Sequence, residues 1–98
     1  MRVIITPQAD EDLAGIFAYI AAENERRAAT TLDRLESACL ALGDEALWFP
    51  LLPEYEMTGI RRRVVHPYNV YFHIVGQTVF VIHVIHGARD QHRALFED

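Results

Sequence analysis

Side chains that can move protons or hold negative charge are concentrated in one strand-rich stretch, residues 59–90. This stretch contains the three consecutive arginines Arg61–Arg63 and four of the five histidines. Imidazoles act as general acids or bases, and guanidinium groups stabilise charge on a phosphoryl group or bind an acidic surface. The residue types therefore fit either phosphodiester cleavage or the recognition of an anionic partner.

Three runs of β-branched and aromatic residues form this stretch, separated by His66-Pro67 and by Gly76-Gln77. The pattern predicts an antiparallel meander. If Gly76-Gln77 is a two-residue hairpin loop, Val75 opposes Thr78 and the strand faces follow. The predicted buried face carries Val70, Phe72, Ile74, Val79, Val81 and Ile85. The opposite face carries Asn69, Tyr71, His73, Phe80, Ile82, Val84 and His86.

The register of the first meander strand is assigned by the cost of burying charge. Burying Ile60 and Val64 sends Arg61 and Arg63 to the open face and leaves Arg62 on the helix side, where its stem can snorkel. The other register would bury two arginines, which is costly. We therefore expect an open sheet face with these candidate site residues: Arg61, Arg63, Tyr71, His73 and His86, bordered by Arg89.

The same residues also have purely structural explanations. An arginine run is typical of a solvated edge with a salt bridge to the acidic helices, and His86 with Arg89 and Asp90 can tie the tail to the sheet. His83 falls on the predicted buried face, as a hydrogen-bonded core histidine would. His73 and His86 share a predicted face, but no third ligand has suitable spacing, so we expect no metal and no cofactor.

The N-terminal half predicts a strand followed by two helices. The β-branched run Arg2–Ile5 ends at Thr6-Pro7, which suit an N-cap and a first helical turn. Apolar residues then recur at helical spacing in two segments, separated by a cap at Asn24 and stopped at Gly43. The lone Cys39 lies in the second apolar stripe and is expected to be a buried thiol.

These elements predict an α+β fold. Its N-terminal strand and helical hairpin precede a three-stranded antiparallel meander, and the helices pack on one sheet face. The segment 46–57 between them is apolar but interrupted by Pro50 and Pro53. We expect it to fold over the open end of the core. The alternative is that part of it, including Trp48, is exposed to a protein partner.

Composition and charge narrow the range of possible functions. The 98 residues, with a net charge of −5, are expected to form one domain, residues 1–98. Residues 1–57 hold four arginines and eleven acidic residues, a net charge of −7, whereas residues 58–98 have a net charge of +2. Broad nucleic-acid binding through charge is therefore disfavoured. Without a signal peptide or a long apolar run, the sequence indicates a cytoplasmic protein that is not membrane-bound.

The order of elements and three short motifs resemble the ParE branch of the ParE/RelE toxin superfamily. The motifs are Gly59-Ile60-Arg61-Arg62 opening the meander, Pro67-Tyr68-Asn69-Val70-Tyr71 inside it, and Val84-Ile85-His86-Gly87-Ala88-Arg89-Asp90 closing it. The resemblance implies a toxin of a type II toxin–antitoxin module, neutralised by a ParD-like antitoxin with which it can form higher-order oligomers. For ParE-like members it further implies a non-enzymatic poison of DNA gyrase.

The RelE branch of the superfamily gives the alternative function, ribosome-dependent cleavage of messenger RNA. Three departures weaken it. The chain has no lysine, Asn69 stands where a catalytic arginine is typical, and the position resembling a C-terminal catalytic tyrosine falls near Leu95. We therefore favour the gyrase-directed toxin over an endoribonuclease. The antitoxin is expected to pack along the hairpin and the sheet edge, its basic residues facing the acidic helices, with contacts at Tyr19, Arg26 and Trp48.

Overall fold

A four-stranded sheet covered on one face by two antiparallel helices organises the chain in a computed structural model, which describes residues 1–97. The predicted domain of residues 1–98 also includes Asp98, which lies outside the described residues. The elements are β1 Arg2–Ile5, α1 Pro7–Ala21, α2 Glu25–Glu45, β2 Arg61–Val65, β3 Tyr68–Val75, β4 Thr78–His86 and α3 Gln91–Phe96.

The sheet has the strand order β1-β4-β3-β2. β1 runs parallel to β4, and the three meander strands pair antiparallel. Val75 opposes Thr78 across the Gly76-Gln77 turn, where Gly76 has a φ of 60°. The predicted α+β fold, with its meander and hairpin loop, is confirmed.

Both predicted helix caps are confirmed. The Thr6 hydroxyl accepts a hydrogen bond from the Ala9 N–H at 3.3 Å, and the Asn24 side-chain oxygen accepts one from the Arg27 N–H at 3.0 Å. These contacts satisfy N–H groups that lack partners inside the first turn of a helix. None of the helices within residues 1–97 is both long enough and apolar enough to cross a membrane.

Gly43 does not end α2, contrary to the sequence prediction. The helix continues to Glu45, and a 3₁₀ turn follows at Ala46–Trp48. A Cβ atom at Gly43 would lie 2.7 Å from the main-chain oxygen of Met1. The Met1 amino group also donates to the Gly43 carbonyl oxygen. The glycine is therefore required where the start of β1 passes against α2, rather than for a left-handed helix end.

The main core lies between the helices and the sheet. Its buried side chains come from both helices, from the 3₁₀ turn after α2 and from β3 and β4: Ala9, Leu13, Leu35, Cys39, Leu42, Ala46, Tyr68, Val70, Phe72, Val79, Val81 and Val84. One part of the apolar segment 46–57 packs on the core and another part is exposed, so each of the two interpretations made from the sequence holds for part of the segment. Leu52 is fully buried and Phe49 packs on the core, whereas Leu47 and Trp48 are exposed.

The Gly43 contact gives the first prediction. Gly43→Ala should destabilise the protein by about 1–3 kcal/mol, because the new methyl group must displace the backbone of Met1. Gly15→Ala is the matched control, since a Cβ at Gly15 meets no atom within 4 Å. It should be neutral or stabilising by up to about 1 kcal/mol, because alanine favours a helix interior. Urea unfolding measures both variants, and equal effects would contradict the close-packing explanation.

The buried thiol gives the second prediction. Burial raises the pKa of the Cys39 thiol from 9.0 to about 11, against the opposing charge of Arg63. The folded state therefore holds the thiol neutral. The contribution of the neutral thiol to the stability of the folded state is complete below pH 9, where the unfolded thiol is also neutral. It is lost as the pH rises through 11. Between those values, the wild type should lose on the order of 2 kcal/mol more stability than Cys39→Ala. Parallel curves of unfolding free energy against pH would refute this.

Candidate functional site

The arginines of β2 lie on the helix face of the sheet, so the predicted register was wrong. Arg61 pairs with Phe72 and Arg63 pairs with Val70, and both partners belong to the main core. Arg62 pairs with Tyr71 and points to the other face. Ile60 is buried on that other face, and Val64 is 61% exposed.

Polar partners offset the cost of burying the Arg61 and Arg63 guanidiniums, the cost on which the predicted register was based. The Arg61 guanidinium donates to the Phe49 carbonyl oxygen at 2.7 Å. The Arg63 guanidinium donates to the Ala38 carbonyl oxygen at 3.0 Å, lies 3.4 Å from the Glu45 carboxylate and sits 4.9 Å from the centre of the Phe49 ring. Charged groups tolerate partial burial when they are hydrogen-bonded and paired. These two arginines therefore connect β2 to α2 and to the segment that follows it.

The second face of the sheet is covered rather than open. Tyr71 is only 1% exposed and belongs to a second apolar cluster, in which Ala94 and Leu95 of α3 also pack. The Tyr71 hydroxyl donates to the Gln91 side-chain oxygen at 2.8 Å, and the Arg62 guanidinium donates to the same oxygen at 2.9 Å. Tyr71 is therefore a buried anchor for α3 and not an exposed phenol.

The helix α3 was missed in the sequence, although a weak signal precedes it. Asp90 caps it, accepting from the Arg93 N–H at 3.3 Å. The Tyr55 hydroxyl lies 2.8 Å from His92 Nδ1, and the Tyr55 ring stacks on Phe96 with the ring centres 4.8 Å apart. A capping aspartate ahead of a short apolar run could have indicated this helix. So short a helix depends on tertiary packing, which the local pattern does not reveal.

The candidate histidines separate onto opposite faces of the sheet. His73 contacts Phe80 on the second face, whereas His86 lies on the helix face beside Tyr68, with ring centres 5.6 Å apart. A β-bulge in β4 causes the separation: Tyr71 pairs with His83, but the next residue, Phe72, pairs with Val81. The extra residue reverses the sheet face to which each later side chain of β4 points.

The bulge corrects the predicted face of four residues, including His83, which pairs with Tyr71 on the second face. Val84 is in the main core, Ile85 is in the second cluster, and His86 faces the helix side. The predicted facing of the five residues Val70, Phe72, Ile74, Val79 and Val81 is confirmed. His83 is half-buried, and its Nδ1 lies 2.9 Å from the Asp12 carboxylate, so it is hydrogen-bonded as expected, although to a helix side chain at the rim of the core.

His86 and Arg89 instead line a groove of about 570 Å³ between α1 and the adjacent ends of β3 and β4. Ile16, Tyr68 and Val84 contribute apolar surface, and Gln8, Glu11, Asp12, Gly15 and Tyr19 line the rest. The structure thus brings together His86, Arg89 and the antitoxin candidate Tyr19. Within residues 1–97, no group of three histidine, cysteine or acidic side chains is arranged to hold a metal ion.

The antitoxin candidates lie at two ends of the hairpin. Tyr19 is 83% exposed near the end of α1, and Arg26 is exposed at the start of α2. Trp48 is 73% exposed beyond the other end of α2. Because 21 helical residues span about 30 Å, one segment touching all three would have to follow the whole of α2.

The fold is an α+β fold of the RelE/ParE type. It consists of a strand, a helical hairpin and an antiparallel meander, and its first and last strands pair in parallel. The chain belongs to the ParE toxin family of type II toxin–antitoxin systems, parDE, whose family model matches residues 3–91.

A solved structure shows the same fold. A chain from a chromosomal ParDE toxin–antitoxin system of P. aeruginosa superposes with a TM-score of 0.74 and 19% sequence identity. The match covers 88% of this chain and 95% of that chain. A search of curated protein sequences gives no significant match.

The placement of the arginines gives the third prediction. Arg63→Ala should destabilise the protein by about 1–3 kcal/mol, because it removes the hydrogen bond to Ala38, the ion pair with Glu45 and packing on Phe49. Arg89→Ala, which changes an exposed arginine, should stay within about 0.5 kcal/mol of the wild type. Chemical denaturation measures both. Equal stability of the two variants would refute the role of Arg63 as a link between sheet and helix.

Proposed function

We propose that this protein is the toxin of a type II toxin–antitoxin pair, that a cognate ParD-like antitoxin neutralises it, and that it inhibits growth by poisoning DNA gyrase. The match of residues 3–91 to the ParE toxin family carries the proposal. With an antitoxin and DNA gyrase as its partners, the toxin would act in the cytoplasm.

The arrangement of polar side chains supports binding rather than catalysis. RNA cleavage requires an acid, a base and a cation around one phosphate. Here the imidazoles of His73 and His86 lie on opposite faces of the sheet. Tyr71 is buried, and the Arg61 and Arg63 guanidiniums are occupied by carbonyl oxygens. A protein poison needs only an exposed surface that fits its target.

The target-binding surface that we propose contains the exposed members of the predicted toxic surface, His86 and Arg89. Both line the groove beside α1. The Arg89 side chain is exposed and can reach an acidic protein surface directly, whereas His86 Nδ1 already accepts a hydrogen bond from the Ala88 N–H at 3.0 Å. The other residues of the predicted toxic surface then affect toxicity through the fold that presents His86 and Arg89. They are Arg61, Arg63, Tyr71 and His73.

The antitoxin surface that we propose follows the outer side of the hairpin, with Tyr19 and Arg26 at one end and Trp48 at the other. Exposed tyrosine and tryptophan side chains are frequent anchors in protein interfaces. The hairpin also exposes many carboxylates, so basic residues of the antitoxin would be attracted to it. Toxin–antitoxin pairs bound in this way can assemble into higher-order oligomers.

The alternative function is the ribosome-dependent endoribonuclease of RelE type, for which the exposed His86 and Arg89 would supply one imidazole and one cation. Purified toxin distinguishes the two functions. With gyrase and supercoiled DNA, we expect gyrase-linked DNA breaks that depend on toxin concentration. Codon-dependent cuts in translated message, without gyrase-linked breaks, would instead establish the endoribonuclease.

Two arginine variants give the fourth prediction. Arg89→Ala should reduce gyrase-linked cleavage about tenfold or more, which is the cost of one lost charge-assisted contact, and should still bind the antitoxin. Arg26→Ala should do the reverse, keeping gyrase poisoning while weakening antitoxin binding. Gyrase assays and antitoxin titrations on folded variants measure this. Unchanged poisoning by Arg89→Ala would show that the groove is not the target-binding surface.

A further inference from the structure

A tight turn joins the end of β4 to α3 and carries Arg89 to the groove. The Arg89 N–H donates to the His86 carbonyl oxygen at 3.0 Å, and this bond closes a β-turn over residues 86–89. The Gly87 N–H donates to the Pro67 carbonyl oxygen at 2.7 Å, and a Cβ atom at Gly87 would lie 3.2 Å from the same oxygen. The turn is therefore packed closely against the loop between β2 and β3.

The His86 side chain forms a further hydrogen bond inside this turn. Its Nδ1 atom accepts from the Ala88 N–H at 3.0 Å. Because Nδ1 is the acceptor, the neutral imidazole carries its hydrogen on Nε2. The bond joins a side chain to the main chain two residues later, as asparagine and aspartate side chains do in Asx-turns. His86 thus occupies the place that an asparagine commonly takes in a turn.

Aromatic packing holds the imidazole from another side. The rings of Tyr68 and His86 meet edge to face, with their centres 5.6 Å apart and their planes at 82°. Tyr68 is only 9% exposed and belongs to the main core. Turning the imidazole away from Ala88 would therefore break both the aromatic contact and the hydrogen bond. The core holds the imidazole, and the imidazole holds the turn.

Arg89 depends on this turn for its position. Its side chain is exposed, so its direction follows from the main chain rather than from packing. The two residues after it are anchored, because Asp90 caps α3 and the Gln91 side-chain oxygen accepts from the Tyr71 hydroxyl. Ahead of Arg89, the two hydrogen bonds accepted by His86 anchor the chain.

We propose that His86 is a positioning residue of the target-binding surface. Its Nδ1 atom holds the main chain at Ala88, so that the Arg89 guanidinium is presented from the groove to a carboxylate of the target protein. The proposal rests on the proposed function, in which the target is gyrase. It adds a division of roles, in which Arg89 touches the target and His86 acts through Arg89.

Two substitutions at His86 separate positioning from direct contact. Asparagine places a side-chain oxygen near the site of Nδ1 and can accept from the Ala88 N–H, whereas glutamine places an amide nitrogen near the site of Nε2. With gyrase and supercoiled DNA, His86→Gln should need about tenfold or more toxin than His86→Asn to give the same amount of gyrase-linked breaks. Equal potency would overturn the positioning role. The opposite order would overturn it and assign a direct target contact to Nε2.

A double-mutant cycle with Arg89→Ala tests whether His86 acts through Arg89. Thermal melts first establish that each variant is folded. In the Arg89→Ala background, His86→Asn and His86→Gln should differ in potency by less than about twofold, because the residue that they position is gone. A difference as large as in the presence of Arg89 would overturn the proposal and leave the proposed function standing. A wild type that produces no gyrase-linked breaks would overturn both.

Heteronuclear NMR of the wild-type imidazole provides a readout that needs no variant to fold. In the neutral ring of His86, Nε2 should carry the hydrogen and Nδ1 should show the chemical shift of an acceptor nitrogen. A hydrogen on Nδ1 of the neutral ring would exclude the bond from the Ala88 N–H. That result would overturn the positioning role without affecting the proposed function.

Discussion

The unequal lengths of β1 and β4 set the constraint on which the structure depends. β1 ends at Ile5, opposite Val81, whereas β4 continues to His86. Within residues 1–97 no strand lies beside the remaining outer edge of β4, and side chains of α1 and its cap satisfy it. The Thr6 hydroxyl donates to the Val81 carbonyl oxygen at 2.7 Å, and the Asp12 carboxylate accepts from the Val84 N–H at 3.0 Å and lies 2.9 Å from His83 Nδ1. A buried main-chain group without such a partner would be costly.

This arrangement determines which surfaces the protein presents. The bulge beside Asp12 turns Val84 into the core and His86 toward the groove beside α1. The second face is closed by α3 through Tyr71 and Gln91. The proposed recognition surfaces therefore lie on the hairpin and in the groove. Such a distribution would suit the two proposed partners, an inhibitor and a target, if they bind through different sides.

Local signals predicted the framework of the fold well. The caps at Thr6 and Asn24 and the Gly76-Gln77 turn depend on neighbours within four residues, and all three are confirmed. The candidate site was predicted less well because its geometry depends on distant partners. Nothing near Arg63 indicates that the Ala38 carbonyl and Glu45 would receive it, and nothing near Ile82 indicates a bulge held by Asp12. One extra residue in a strand reverses every later side chain, so a correct strand gave a wrong face for His86.

Asp12 holds the bulged edge of β4, and the free energy of unfolding of Asp12→Ala measures this contribution. The exposed neighbour Glu11→Ala is the control on the same helical turn. Loss of the acceptor for Val84 and His83 should cost about 1–3 kcal/mol, whereas Glu11→Ala should stay within about 0.5 kcal/mol of the wild type. If Asp12→Ala is as stable as Glu11→Ala, α1 does not hold the edge of β4 through this carboxylate.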